Sequence, residues 1–190
     1  MQRTLPTLTL TLTLALGGCA TVIDATHDGP IEETPTSRTT GTLIDDEIVE
    51  TKALVNLSKA SEALANAHLV VVSYNGVVLL AGQVNSDAER QLAEKTVQEV
   101  RNVRLVHNEL SVAGQTSNLV RTNDTWLTAK IKGQMLTDQQ LVANRIKVVT
   151  ENGVVYLLGL VTDAEAEHAV KLVRETGGVQ KVVKMFEYVR

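Results

Sequence analysis

The chain has 190 residues, 44% of them hydrophobic, enough to bury a real core as one domain or two small ones. A formal net charge of -4 is too small to point to nucleic acid, and a single cysteine, Cys19, excludes an intramolecular disulfide or a cysteine-based metal cluster. Aromatic residues make up only 3%, so the one tryptophan, Trp126, holds a scarce kind of position.

Charge is unevenly spread. Residues 41–113 carry 6 Lys and Arg against 10 Asp and Glu, about -4, whereas residues 119–190 carry 10 against 8, about +2. The two halves are electrostatically different objects.

Taken in chain order, the first 18 residues have a basic start (Arg3), a threonine-diluted apolar run from Leu5 to Leu16, then Gly17 and Gly18 before Cys19. The run is too short for a hydrocarbon core of about 30 Å, which needs about 20 apolar residues, and reads as a signal peptide. Leu16-Gly17-Gly18-Cys19 resembles the bacterial lipobox, whose cysteine receives a diacylglycerol and an N-acyl chain such as palmitate and becomes the new first residue. Each buried methylene contributes about 0.8 kcal/mol, so multiple acylation at Cys19 makes a lasting anchor. By resemblance to lipoprotein sorting, Ala20 rather than Asp after the cysteine implies the outer membrane. Residues 19–41, rich in Thr, Asp and Glu with Pro30 and Pro35, read as a flexible tether whose reach is about 25 Å.

The remainder repeats at a spacing of about 77 residues. Asn75-Gly76-Val77-Val78-Leu79-Leu80-Ala81-Gly82 matches Asn152-Gly153-Val154-Val155-Tyr156-Leu157-Leu158-Gly159, and Asp45-Asp46 matches Asn123-Asp124. Both polar pairs are expected to cap helices over 46–57 and 124–136. Strands are then expected over 68–74 and 145–151, and Asn-Gly makes a two-residue hairpin turn into return strands over 77–84 and 154–161. Helices over 87–100 and 163–176 and last strands over 103–112 and 179–189 complete each copy, with Gly177-Gly178 stopping the second of those helices. The fold class is α+β: two tandem αββαβ units over 42–115 and 116–190, each a three-stranded sheet closed by two helices.

The sequence carries no metal-ligand spacing among His27, His68, His107 and His168, and no GxSxG, phosphate-binding or dinucleotide motif. Asp163, Glu165 and Glu167 sit where a helix begins and read as dipole compensation rather than acid/base pairs. No enzymatic activity, cofactor or small-molecule substrate is expected.

The order of elements, the duplicated Asn-Gly-Val-Val-x-Leu-x-Gly-x-Val block and the run Asn-Asp-Thr-Trp-Leu-Thr-x-Lys at 123–130 resemble BON domains. With the lipobox and acidic tether, the arrangement is similar to the DolP family of dual-BON outer-membrane lipoproteins. That resemblance implies a periplasm-facing protein binding anionic phospholipid (phosphatidylglycerol, cardiolipin) through the first helix of the second unit. It also implies enrichment at the division site, support of envelope integrity and an effect on the β-barrel assembly machinery.

The two first helices can be laid over one another within this one chain. Val49, Ala53 and Leu57 recur at helical spacing and face the core, and their counterparts are Leu127, Ile131 and Met135. Trp126 falls opposite Ile48, off that stripe and beside Lys130 and Gln134, which argues for an exposed indole although tryptophan is usually well buried. The candidate phospholipid-binding set is Trp126, Leu127, Ala129, Lys130, Ile131, Lys132, Gly133 and Gln134. Indole favours the bilayer interface and each lysine near an anionic surface contributes about 1 kcal/mol. The alternative is a protein-interaction scaffold using the same helix surface, with lipid contact incidental.

Overall fold

The computed structural model describes residues 38–189. Cys19 and the tether as far as residue 37 lie outside the described residues. The elements are α1 (Thr40–Ala60), a short α2 (Glu62–Asn66), β1 (His68–Tyr74), β2 (Val77–Val84), α3 (Asp87–Gln98) and β3 (Leu105–Val112) in the first copy. The second has α4 (Asn118–Thr137), a 3-10 turn (Ala143–Arg145), β4 (Ile146–Glu151), β5 (Val154–Val161), α5 (Asp163–Glu175) and β6 (Lys181–Tyr188). Each copy is αββαβ as expected, with α2 an addition.

The hairpins follow from their turn residues. Asn75 and Gly76 have φ of 53° and 74°, Asn152 and Gly153 φ of 51° and 74°, the paired positive values of a turn that matches strand twist. β1 and β2 pair antiparallel, as do β4 and β5. The third strand returns parallel to the second through a helix, β3 on β2 and β6 on β5, because a parallel partner needs a long crossover.

The first helix of each copy begins earlier than expected. Thr39 caps α1, its hydroxyl accepting from Thr42 N at 3.1 Å, and Ser117 caps α4. Residues 40–41, assigned to the tether from composition, are therefore helical. Asp46 and Asp124 are not caps but buried mid-helix residues. The Asp46 carboxylate accepts from Asn75 N (2.9 Å) and Gly76 N (3.0 Å), and Asp124 accepts from Asn152 N (2.7 Å) and Gly153 N (2.9 Å). Each carboxylate ties its own copy's hairpin turn to its first helix. This satisfies amide groups that burial would otherwise leave unpaired.

Every residue of β2 is buried, which a sheet with helices on one face alone cannot explain. Val78, Leu80 and Val84 pack on Val49, Ala53 and Leu57, while the alternate residues Val77, Leu79 and Ala81 pack against Tyr156, Leu158 and Met185 of the second copy. β5 divides the same way, with Val155, Leu157 and Val161 facing Leu127 and Ile131. The period of two along each strand serves two cores, and the sheets meet face to face.

Polar contacts ring that seam. Tyr74 donates to Arg145 O at 2.8 Å, and Glu151 holds Gln83 (2.8 Å) and His68 (3.3 Å). Tyr74 and Glu151 are equivalent positions at the 77-residue offset, as are His68 and Arg145. The contacts thus cross as in an isologous two-fold interface, built within one chain. Arg104 makes two hydrogen bonds to Glu187, at 2.7 and 3.2 Å, and Lys147 reaches Glu50 at 2.8 Å. Burial, with the charges of Glu109 and Glu151, pushes the Tyr156 phenol up to about 12.

Gly82 closes β2 against the start of β1. Its φ is 118° and a Cβ there would collide with the His68 carbonyl oxygen. Gly82→Ala is expected to destabilise the fold by about 2 kcal/mol or more, read as a lowered urea midpoint.

Candidate functional site

α4 has two distinct faces. Leu127, Ile131 and Met135 are fully buried in the core of the second copy. Leu127 and Ile131 therefore leave the candidate lipid-facing set, because a side chain packed between α4 and its sheet cannot reach a surface without unfolding the unit. On the opposite side Trp126 is 58% exposed. Ala129, Lys132, Gly133 and Gln134 are also exposed and Lys130 is half-buried.

Two further residues join this face. Leu119 is 80% exposed and Leu136 74%. At about 100° per residue they lie within roughly a quarter-turn of Trp126 around the helix. Ala129 and Gly133 fall between them, and a Cβ at Gly133 would meet nothing within 4 Å. The outward face is thus an apolar strip of large side chains separated by small ones. Leu119 was missed because the helix was expected to start after it; a Ser117-Asn118 cap signal would have brought it in. Leu136 was missed because comparison with the first copy, where Ser58 stands at its position, gives no apolar cue.

Cations flank the strip. Lys130 Nζ lies 5.0 Å from the Trp126 ring centroid and 3.4 Å from Gly177 O, a cation–π contact that fixes the indole on one side. Gln134 is held by the Thr176 hydroxyl at 2.7 Å. Lys132, on the other flank, makes no ion pair among the described residues. It lines a groove of about 410 Å³ at the seam, together with Leu136, Arg38 and Glu47. Arg121 points away from the strip, into a cleft beside Thr128 and Val148, where its Nε is buried with no hydrogen-bond partner among the described residues.

The helix is pinned at its C-terminal end. His168 Nε2 lies 2.9 Å from Asp138 Oδ2. That hydrogen bond, with the Gln140 N–H, holds the Asp138 carboxyl below the usual carboxylate range. Among the described residues no group of three or more His, Cys, Asp or Glu could hold a metal, and no helix is long and apolar enough to cross a membrane.

The family model described as BON domain matches residues 45–114 and 123–190. The chain is also 37% identical over 176 residues, 93% of its length and 91% of the relative's, to "Outer membrane lipoprotein DolP" of Haemophilus influenzae. The chain is a dual-BON protein of the DolP family. It is further similar to a "21 kDa hemolysin" of Actinobacillus pleuropneumoniae, at 34% identity over 86% of this chain and 82% of that one. "Osmotically-inducible protein Y" of Escherichia coli is 29% identical over 75% of this chain and 72% of its own length. The exposed strip of α4 therefore belongs to the first helix of the second BON unit, and the Asp-to-hairpin tie recurs in both units.

Proposed function

We propose that this DolP-family chain is a non-enzymatic outer-membrane lipoprotein, held by acylated Cys19 and facing the periplasm. Its second BON unit binds anionic phospholipid, phosphatidylglycerol or cardiolipin, through α4. The observation that carries this reading is the exposed Trp126, set between Leu119 and Leu136 and flanked by Lys130 and Lys132. Indole partitions to the interface, leucines enter the acyl boundary, and the lysines meet phosphate. The lysines contribute about 1 kcal/mol each and are screened by salt, so α4 alone binds weakly. Anchoring through Cys19 raises the local lipid concentration and makes weak contact sufficient. Anchor and helix divide the work: the first confers residence, the second lipid choice. Enrichment at the division site, maintenance of envelope integrity and an effect on the β-barrel assembly machinery are part of the proposal on the strength of the family resemblance.

Flotation of the unacylated mature chain (residues 19–190, Cys19→Ala) with phosphatidylglycerol vesicles tests it. Trp126→Glu is expected to reduce the bound fraction at low salt on the order of tenfold, since it replaces an interfacial anchor by a repelled charge. Equal absence of binding by wild type and variant favours the protein-scaffold alternative, and unchanged binding moves the site off α4.

A further inference from the structure

The flank of the first helix is filled in one BON unit and open in the other. When Asp46 is laid on Asp124, Leu43, Glu47, Glu50 and Leu54 of α1 fall on Arg121, Thr125, Thr128 and Lys132 of α4. When Tyr74 is laid on Glu151, Val70 of β1 falls on Lys147 of β4. In the first unit Lys147 crosses the seam, bonds Glu50 at 2.8 Å and donates to Ser73 O at 3.4 Å. That ion pair occupies the flank of α1 and uses both charges. The second unit has Val70 and Thr128 at the corresponding places, so no such pair can form. A cleft of about 490 Å³ is left there between α4 and β4, with Val70, Val148 and Val149 on its walls.

What the cleft lacks is an acceptor. Arg121 and Lys132 both line it, and neither makes an ion pair among the described residues. The Arg121 Nε is enclosed with no hydrogen-bond partner among them, a state that native structures ordinarily relieve with a water, an ion or a ligand. The two carboxylates at the cleft are already engaged. Asp124 accepts from Asn152 N and Gly153 N, and Glu151 accepts from Gln83 and faces His68. Formal charges of the two cations and two carboxylates cancel, so unused donors rather than a net positive field make the site. Lys132 stands about 16 Å along the helix axis from Arg121, too far for the two to share one phosphate group.

A guanidinium fork matches the paired oxygens of a phosphate. The cleft is larger than a bare oxyanion needs, and its valine walls suit the carbon skeleton of an ester. Ala129 belongs both to the cleft wall and to the outward strip, so the cleft opens beside the surface proposed to meet the bilayer. We infer that the cleft between α4 and β4 is a binding site for a phosphate ester, whose oxygens are held by the Arg121 guanidinium. The glycerophosphoryl headgroup of phosphatidylglycerol is the source that this position favours, an assignment that rests on the membrane reading of α4. A soluble phosphate ester offers the same oxygens. Trp126 then meets the bilayer interface, and Arg121 reads the headgroup beside it.

Two readouts on the unacylated mature chain (residues 19–190, Cys19→Ala) test it. The Arg121 Nε–H resonance, assigned by its absence in Arg121→Gln, should shift saturably on titration with glycerophosphoglycerol, the deacylated headgroup, and not with chloride at the same ionic strength. An equal midpoint with inorganic phosphate shows that the phosphate group alone is read. A resonance unmoved by either compound overturns the proposal. Flotation with phosphatidylglycerol vesicles at low salt then decides the source. Arg121→Gln should raise the lipid needed for half-binding about fivefold, and Arg121→Lys, which keeps the charge but not the fork, should restore only part of the loss. Full restoration by lysine overturns the lipid source and assigns the cleft to a soluble ester. An unmoved resonance with a blue-shifted Trp126 on vesicles removes the cleft and leaves the membrane reading standing. A moved resonance with no vesicle binding by the wild type removes the membrane reading and keeps the phosphate site.

Discussion

Asp46→Ala is expected to destabilise the first BON unit by on the order of 4 kcal/mol. The carboxylate is buried and accepts four hydrogen bonds, from Asn75 N, Gly76 N, the Ser73 hydroxyl (2.7 Å) and Arg38 (2.8 Å). Its removal leaves buried donors unpaired, at about 1–3 kcal/mol each, and strands a guanidinium that is itself mostly buried. Partial relaxation of Arg38 toward water brings the sum down. The sign of the pH dependence follows from the same geometry. Burial pushes the Asp46 carboxyl up, but the Gly76 N–H, Ser73 hydroxyl, Asn75 N–H and Arg38 outweigh it and hold the group below its usual range. A carboxylate lowered in the folded state contributes stability that is fully present above its unfolded value of about 3.9 and is lost as pH falls through the folded one. Urea midpoints from pH 7 down to about pH 3 should therefore fall for the wild type and fall less for Asp46→Asn. Parallel curves would mean that the hairpin tie carries no net energy.

Leu158→Asp is expected to be the second large effect, at about 4 kcal/mol or more. Leu158 is fully buried in the inter-sheet cluster with Tyr74, Leu79 and Tyr156. An aspartate there must lose its hydration without a partner or take up a proton, and it also leaves a smaller volume. The damage falls on the seam, because the helix-facing core of Leu127, Ile131 and Val155 lies on the other side of β5. The expected outcome is separation of the two BON units with each still folded. Unfolding then occurs in two steps, and proteolysis appears in the connection at 113–117. A single transition with no new cleavage would mean that the two sheets are held chiefly by their polar rim.

The fold was legible where local chemistry decides it. Asn-Gly set both hairpins, and the return strands were placed at their observed bounds because apolar runs between a turn and a helix cap leave little latitude. The starts of α1 and α4 were not legible. Asp45-Asp46 and Asn123-Asp124 look like caps, and the apolar residues before them, Ile44 and Leu119, face solvent and so break the core periodicity. The role of Asp46 and Asp124 depends on a turn about 30 residues away, which local pattern cannot show. Two-sided burial was implicit in the continuous apolar composition of β2 and β5, but its partner, the other sheet, is a tertiary fact.

At the candidate site, comparison of the two copies separated Trp126 from the buried stripe, and its exposure agrees with that division. Leu127 and Ile131 belong to the stripe that helical spacing already points at the core, and their full burial takes them out of the candidate lipid-facing set. Leu119 and Leu136 are two of the most exposed large apolar side chains in the described residues; Leu119 needed the true start of the helix, whereas Leu136 lies within the expected helix and has only Ser58 as its counterpart in the first copy.

The most direct test of membrane binding through α4 uses the protein's own single tryptophan. In solution Trp126 should be readily quenched by acrylamide, as its 58% exposure requires. With phosphatidylglycerol vesicles at low salt its emission should shift to the blue and acrylamide quenching should fall, while phosphatidylcholine vesicles have a smaller effect and added salt reverses it. An emission maximum and quenching constant unchanged by phosphatidylglycerol would contradict lipid binding at this helix.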